Sequence, residues 1–172
     1  MDREKVQTTR VHARTPLATT GRRPATVWAL VGLLAFLGVS GLFGGVGLIF
    51  GIWGMDQIPR EPLDRIPLID SWLVPGLVLA VGFGLVSLIA AYGVLRRPPW
   101  PWLATAGHLT GRHWSWSATI LLGLGQLAWL LVEFRYVGPS PLLFVYGTVG
   151  AALTVLPMLM PVRRYLTTER IP

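Results

Sequence analysis

The chain has 172 residues, 52% of them hydrophobic and only 13% charged, with a formal net charge of +7 and no cysteine. A soluble domain of this size rarely carries so few charges, and the lack of thiols excludes membrane thiol–disulfide chemistry and soft metal sites. A basic chain suggests nucleic acid until the charges are placed: they flank four long apolar stretches, which is the pattern of membrane topology.

Those stretches run approximately over residues 27–53, 72–95, 117–137 and 142–162. Each is long enough to cross the ~30 Å hydrocarbon core at about 1.5 Å per helical residue. Backbone in lipid must satisfy its own hydrogen bonds, so each stretch becomes a helix. The expected fold is an all-α membrane protein, a four-transmembrane-helix up-down-up-down bundle over residues 25–166.

Twelve of the fifteen basic residues fall on one side of the spans. Arg3, Lys5, Arg10, Arg14, Arg22 and Arg23 precede the first, Arg96, Arg97 and Arg112 lie between the second and third, and Arg163, Arg164 and Arg170 follow the fourth. Arg60, Arg65 and Arg135 fall on the other side. The positive-inside rule then places both termini and the middle loop in the cytoplasm, N-in and C-in. Fourteen of the fifteen basic residues are Arg, and Ala, Gly and Pro are abundant. This bias suits a GC-rich genome and points to a bacterial plasma (inner) membrane.

Residues 1–24 are rich in Thr and Arg, poor in aliphatics and interrupted by Pro16, Gly21 and Pro24. They bury too little apolar surface to offset ordering, which predicts a disordered basic cytoplasmic tail. The first span is about twice as long as the apolar run of a cleavable signal peptide. At 100° per residue its Gly38, Gly41 and Gly45 share one face, while Gly44, Gly47, Gly51 and Gly54 share nearly the opposite one, so close approach is expected on both sides. Trp28 and Trp53 mark its two interfaces.

The outer loop, about residues 54–71, carries Asp56, Glu61, Asp64 and Asp70, and its three prolines make it irregular. Asp70-Ser71 is a candidate cap for the second helix, and Pro75 fits its first turn. Ala80, Gly84, Ser87 and Ala91 form a small-residue stripe along that helix. The middle loop opens with Arg96-Arg97-Pro98-Pro99-Trp100-Pro101-Trp102, in which the prolines stop the helix. Leu103–Leu109 has the length of a short interfacial helix, and His108 and His113 read as solvated loop residues. The turn at residues 137–141 is so short that spans three and four form an antiparallel hairpin. Pro157 predicts a kink in span four. Residues 167–172 form a short cytoplasmic tail.

Span three carries the one polar stripe. Thr119, Gln126 and Glu133 are seven apart and project from one face, with Trp129 beside them. An ionisable residue within a span is a functional-site candidate by default. Two roles stand open for Glu133: a structural pin held by Arg60 or Arg65, or a titrating counter-charge in a ligand site with Gln126 and Tyr146 as polar contacts and Trp129 as an apolar wall. Gln126, nearer mid-membrane, is also a candidate for hydrogen bonding to Tyr146, Thr148 or Thr154. The basic pairs Arg22-Arg23, Arg96-Arg97 and Arg163-Arg164 are expected to contact anionic headgroups of the inner leaflet.

The segment Asp70-Ser71-Trp72-Leu73-Val74-Pro75-Gly76-Leu77-Val78-Leu79, together with Trp129-Leu130-Leu131-Val132-Glu133, resembles motifs of a family of uncharacterised four-span bacterial membrane proteins. That family combines a glycine-rich first helix, an "lvPGlvL" start to the second and a "WxxVE" motif in the third. The resemblance covers about residues 27–160, implies the four-helix architecture, and singles out Pro75, Gly76, Trp129 and Glu133. It implies no activity.

No catalytic motif, nucleotide loop, cofactor site or metal signature stands in the sequence. The expected role is that of a non-enzymatic accessory or assembly subunit, whose partners are the bilayer, its anionic lipids, and other membrane proteins or a second copy of the chain. Small-molecule binding or transport with Glu133 as the intramembrane charge is the alternative. A membrane enzyme acting on lipid-like substrates comes third, since Glu133 would need Asp56, Asp64 or Asp70 folded over it to supply a second acid–base group.

Overall fold

A computed structural model describes residues 23–58, 71–101, 103 and 111–167. Four helices are long and apolar enough to cross a membrane. They are α1 (Ala25–Phe50), α2 (Leu73–Arg96), α3 (Trp114–Tyr136) and α4 (Pro141–Val155), the last continued by a 3-10 turn over Leu156–Met158. A short helix, α5 (Met160–Tyr165), follows α4. Among the described residues the only extended pairing is an isolated antiparallel bridge between Arg112 and Thr167.

The helix ends are set by local chemistry that apolar run length does not show. Helix α1 stops at Phe50, three residues before the expected end, because Gly51 takes the left-handed conformation (φ 61°) and turns its N–H onto the Gly47 carbonyl. Only glycine adopts that geometry at no steric cost. Trp53 lies beyond the helix and stacks on Phe43, with ring centroids 4.1 Å apart. At the start of α2 the N-cap position is Trp72 and no side chain caps it, so Ser71 does not take the expected role. Asp70 lies outside the described residues, as do residues 1–22 and 104–110, on which the expected disordered tail and interfacial helix fall. Helix α3 begins three residues earlier than expected because His113 caps it.

The kink at Pro157 takes the form of a break. Helix α4 tightens to a 3-10 turn at Leu156–Met158 and is interrupted at Leu159, which is extended (φ −63°, ψ 141°). Pro161 then sits in the first turn of α5, where its missing N–H breaks no helical hydrogen bond. The apolar stretch ending at Val162 is therefore two helices.

Helix α2 is π-helical over Val78–Leu85, between α-helical ends at Leu73–Leu77 and Val86–Arg96. Nothing in the composition of this segment announces it. Its packing supplies a reason. In an α-helix of 3.6 residues per turn, positions four apart drift around the axis. A wider turn, bonded i to i+5, keeps Gly76, Ala80 and Gly84 closer to one line, and that line runs along α1.

The two helices meet there backbone to backbone. A Cβ added at Gly41 would lie 2.9 Å from both the Gly84 nitrogen and the Leu79 carbonyl oxygen. One added at Gly45 would lie against Ala80 and 2.5 Å from the Gly76 carbonyl oxygen. The face carrying Gly38, Gly41 and Gly45 is thus closely approached. No helix backbone closes on the opposite face: a Cβ at Gly44 meets nothing within 4 Å, and at buried Gly47 its nearest neighbours are side-chain atoms of Met55, from 2.9 Å. Of the two faces expected to be closely approached, one packs against a helix backbone and the other is met at Gly47 by a side chain alone. In α2 the whole stripe Ala80, Gly84, Ser87 and Ala91 is buried.

A second close seam joins α3 to α4, where a Cβ at Gly123 would come within 2.8 Å of both the Gly150 carbonyl oxygen and the Thr154 nitrogen. The other two seams use side chains. Phe83 of α2 sits beside Gly125 and tilts against Trp129 of α3, and Phe36 of α1 stacks on Tyr146 of α4 at 5.8 Å. Residue numbers rise in one helix as they fall in the next along the α1–α2, α2–α3 and α3–α4 seams, so consecutive helices run antiparallel. The interior is filled by Leu30, Leu34, Leu37, Ala90, Val94, Leu122, Val149 and Leu153. Large apolar side chains also cover the outside, with Leu131 70% and Phe144 79% exposed. Lipid accepts such a surface; in water a face this continuous is an association site.

Candidate functional site

Thr119, Gln126 and Glu133 do share one face of α3, and it is the inward one. Thr119 is fully buried, Gln126 is 3% exposed and Glu133 is half-buried one turn from the helix end. Burial of the stripe therefore increases from the Glu133 end of α3 toward its start. The Thr119 hydroxyl donates to the Ser115 carbonyl at 2.7 Å and is satisfied within its own turn.

Gln126 is not. Its Oε1 is buried and has no hydrogen-bond partner among the described residues. Two of the three expected donors are engaged elsewhere. The Thr148 hydroxyl donates to the Phe144 carbonyl and that of Thr154 to the Gly150 carbonyl, each closing a loop on its own helix. Tyr146 presents its ring to Phe36. The reading of Gln126 as a hydrogen-bonded link to these three residues is corrected: its side chain packs against Gly150, where a Cβ would meet Gln126 Cγ at 3.3 Å. On α2 the Ser87 hydroxyl is likewise fully buried and unpartnered among the described residues.

No described residue offers the Glu133 carboxylate a hydrogen bond or ion pair. Its backbone carbonyl accepts from Val137 and Gly138, closing the helix. Arg60 and Arg65, the expected partners, lie outside the described residues. Trp129 is partly buried against the core, with Phe83 as its ring neighbour. Asp56 is exposed on the 3-10 turn Met55–Gln57, and Asp64 and Asp70 lie outside the described residues. Among the described residues, no three His, Cys, Asp or Glu side chains gather as a metal site would require.

The opposite end of the bundle is more highly organised than its sequence announces. Three segments converge on it: the end of α2 with its prolines, the start of α3, and α5. Arg97 ends α2 in the left-handed region (φ 47°), unusual for a residue with a side chain. Its guanidinium donates to the Tyr165 carbonyl at 3.0 Å and lies over the Tyr165 ring at 4.6 Å. Trp116 donates its indole N–H to the Pro157 carbonyl at 2.9 Å, satisfying a group at the helix break. Arg112 lies over the Trp116 ring at 4.2 Å, and Trp100 stacks on Trp114 at 5.2 Å. Trp114 fills the space that Gly93 leaves open on α2.

His113, expected to be a solvated loop residue, is the keystone of this end. Its Nδ1 faces the Ser115 hydroxyl at 2.9 Å and accepts from the Ser115 backbone N–H at 3.4 Å. Its Nε2 lies 3.1 Å from the Pro98 carbonyl. This set fits the neutral ring with the proton on Nε2, donating to Pro98. His113 is a helix cap and an inter-segment tie at once. The legible signal was its place directly before the Trp114-Ser115-Trp116 start of span three.

Burial lowers the His113 pKa; repulsion from Arg97 adds to this, against an upward pull from the bond to Pro98. A depressed histidine pKa means that the unfolded chain binds the proton more readily. The contribution of His113 to stability is therefore complete above the unfolded value of about 6.5. It is lost as pH falls from there through the lower folded value. Thermal unfolding in detergent is expected to show this acid-side loss, and His113→Asn, which keeps a capping oxygen, to flatten it. His113→Ala is expected to cost about 1 kcal/mol at neutral pH through loss of the cap.

Comparison with family models, curated proteins and solved structures finds no match to this chain. The residues singled out in the sequence are thus read by their places in the fold. Pro75 and Gly76 are buried, and Gly76 abuts Gly45 and Ile49 of α1 at the start of the close seam. Trp129 and Glu133 lie on the inward side of α3 near the opposite mouth. Of the six basic residues expected at headgroups, Arg22 lies outside the described residues and Arg23 sits over the Trp28 ring at 5.7 Å. Arg96, Arg163 and Arg164 are exposed, while Arg97 is drawn into the tie to Tyr165.

Proposed function

We propose that this chain is a non-enzymatic multi-pass protein of a bacterial plasma membrane, with both termini in the cytoplasm, acting as an accessory or assembly subunit beside other membrane proteins. The observation that carries the reading is the disposition of its surface. The seams α1–α2 and α3–α4 are closed by backbone contact, whereas the outward faces are long, apolar and unbroken. Such a body offers lipid and neighbouring spans a large area for van der Waals packing, the main driving force of helix association in a bilayer. Its sidedness rests on the basic end, which carries Arg23, Arg96, Arg97, Arg112, Arg163 and Arg164. Reporter fusions at Arg23 and at Asp56 are expected to report cytoplasm and periplasm respectively; the reverse pattern refutes the orientation. Purification of the native protein in mild detergent, with mass spectrometry of co-purifying chains, is expected to recover a stoichiometric membrane partner. Recovery as a lone monomer removes the subunit reading.

The inward stripe ending in Glu133 favours a second reading, small-molecule binding or transport near the outer leaflet. A half-buried carboxylate above a buried, unpartnered amide oxygen is a polar path entering an apolar bundle. On this reading Glu133→Gln abolishes proton-coupled flux in proteoliposomes and leaves the fold intact. Unchanged flux and ligand binding rule it out.

A further inference from the structure

Not all the cations at the basic end are equivalent. Arg97 is consumed by its tie to Tyr165. Arg96 and Arg164 project from the surface with no described partner. Arg112 and Arg163 differ from all of these, because the fold brings them together from two distant parts of the chain. The Arg112–Thr167 bridge, with the His113 N–H donating to the Leu166 carbonyl at 2.9 Å, lays the segment before α3 against the end of α5. The Thr167 hydroxyl then turns back onto the Arg163 carbonyl at 2.8 Å. Trp116, itself fixed by its bond to Pro157, holds the Arg112 guanidinium from below.

Two like charges are thus set on adjoining segments, Arg112 held by the bridge and the Trp116 ring and Arg163 one turn before the bridged Thr167. Burial, and after it repulsion from Arg163, lowers the Arg112 pKa from its ordinary value. The described carboxylates, Asp56 and Glu133, are at the other end of the bundle. Guanidinium groups present several donors to phosphate oxygens in a fixed fork, and a tryptophan platform at the headgroup level suits a lipid more than a free ion.

We propose that Arg112 and Arg163 form a discrete site for the phosphate of an anionic phospholipid, with Trp116 as its floor. The pair chelates one phosphodiester, whose charge relieves the repulsion between the two guanidinium groups. This goes beyond general attraction to the inner leaflet, since it assigns binding to two residues and excludes their neighbours. It rests on the membrane reading of the chain but is independent of the subunit reading, because the test uses the purified protein alone.

The full-length protein in neutral detergent is titrated with phosphatidylglycerol and, separately, with phosphatidylcholine, and bound lipid is counted by native mass spectrometry. One phosphatidylglycerol per chain is expected at the lowest lipid concentrations, in preference to phosphatidylcholine. Arg112→Gln and Arg163→Gln are each expected to weaken that event about fivefold, the effect of one interfacial arginine. Arg96→Gln and Arg164→Gln are expected to change it less than about twofold, and Arg163→Lys to retain part of it. Tryptophan fluorescence of each variant establishes that the fold is kept. Displacement by millimolar inorganic phosphate alone would show a free-anion site and overturn the lipid assignment. An equal loss in all four Gln variants would show diffuse attraction and overturn the site. Glu169, two residues beyond Thr167, is tested as an internal counter-ion: a severalfold gain in lipid binding for Glu169→Gln would assign the pair to that carboxylate, and no change is the result expected here.

Discussion

Gly45→Val is expected to be the most damaging single substitution in the spans. The added Cβ would fall on Ala80 and the Gly76 carbonyl oxygen, both presented by the backbone of α2 rather than by a flexible side chain. Neither can be moved by a rotamer change, so the helices must separate along the seam. Overpacking a core typically costs 1–3 kcal/mol, and here the upper end of that range is expected, because separation also removes the contacts of Gly41 with Gly84. In lipid no hydrophobic gain compensates for lost packing between helices. Gly44→Val, one position away and facing open space, is the matched control and is expected to change stability by less than about 0.5 kcal/mol. The comparison is made by unfolding in detergent; equal effects at the two positions would refute the one-sided seam.

The second large effect is expected at Trp116. Trp116→Phe keeps most of the ring and removes the indole N–H, leaving the carbonyl of the buried Pro157 without its donor. An orphaned buried acceptor costs about 1–3 kcal/mol. The loss should be local. Because the bond links α3 to the break after α4, the expected signature is faster amide exchange over α5, including the Leu166 N–H that bonds to Val162, with the α1–α2 seam unchanged. Uniform weakening of all spans would mean that Trp116 contributes only general packing.

How much of this was legible in the sequence depends on what each feature is made of. The existence and number of the long apolar helices follow from unbroken apolar runs, such as those around Leu34 and Leu122. That Thr119, Gln126 and Glu133 share a face follows from a spacing of seven on a helix; that this face points inward is seen only in their burial. Helix ends were misplaced where a single backbone angle decides them, as at Gly51, and where a cap stands outside the apolar run, as at His113. Pro157 alone predicts a kink; the break at Leu159 comes with a second proline, Pro161, that starts a new helix beyond it. The π-helical stretch of α2 coincides with its close seam against α1, a pairing that the residues of 78–85 taken alone do not announce. Gln126 shows the same limit in reverse. Its neighbours on α4 have the right chemistry, but Thr148 and Thr154 find acceptors on their own helix first, a local competition that a list of polar residues does not reveal.

The closure of the two ends is unequal, and this has a mechanical consequence. Near Arg97 and His113 three segments are bolted together by hydrogen bonds and stacked rings, and Trp114 is wedged against Gly93. From mid-bundle toward the far end the hairpins α1–α2 and α3–α4 meet through side chains such as Phe83 and Trp129, at a ring separation of 6.3 Å. Each hairpin is stiff because its own seam is backbone on backbone. The molecule is therefore built as a pair of rigid tongs with the rivet at the basic end, and its softest motion parts the tips beside Glu133. Backbone amides around Leu130–Glu133 should open to exchange before those around Ser115–Thr119, so that the one carboxylate set inside a span sits where the jaws move most.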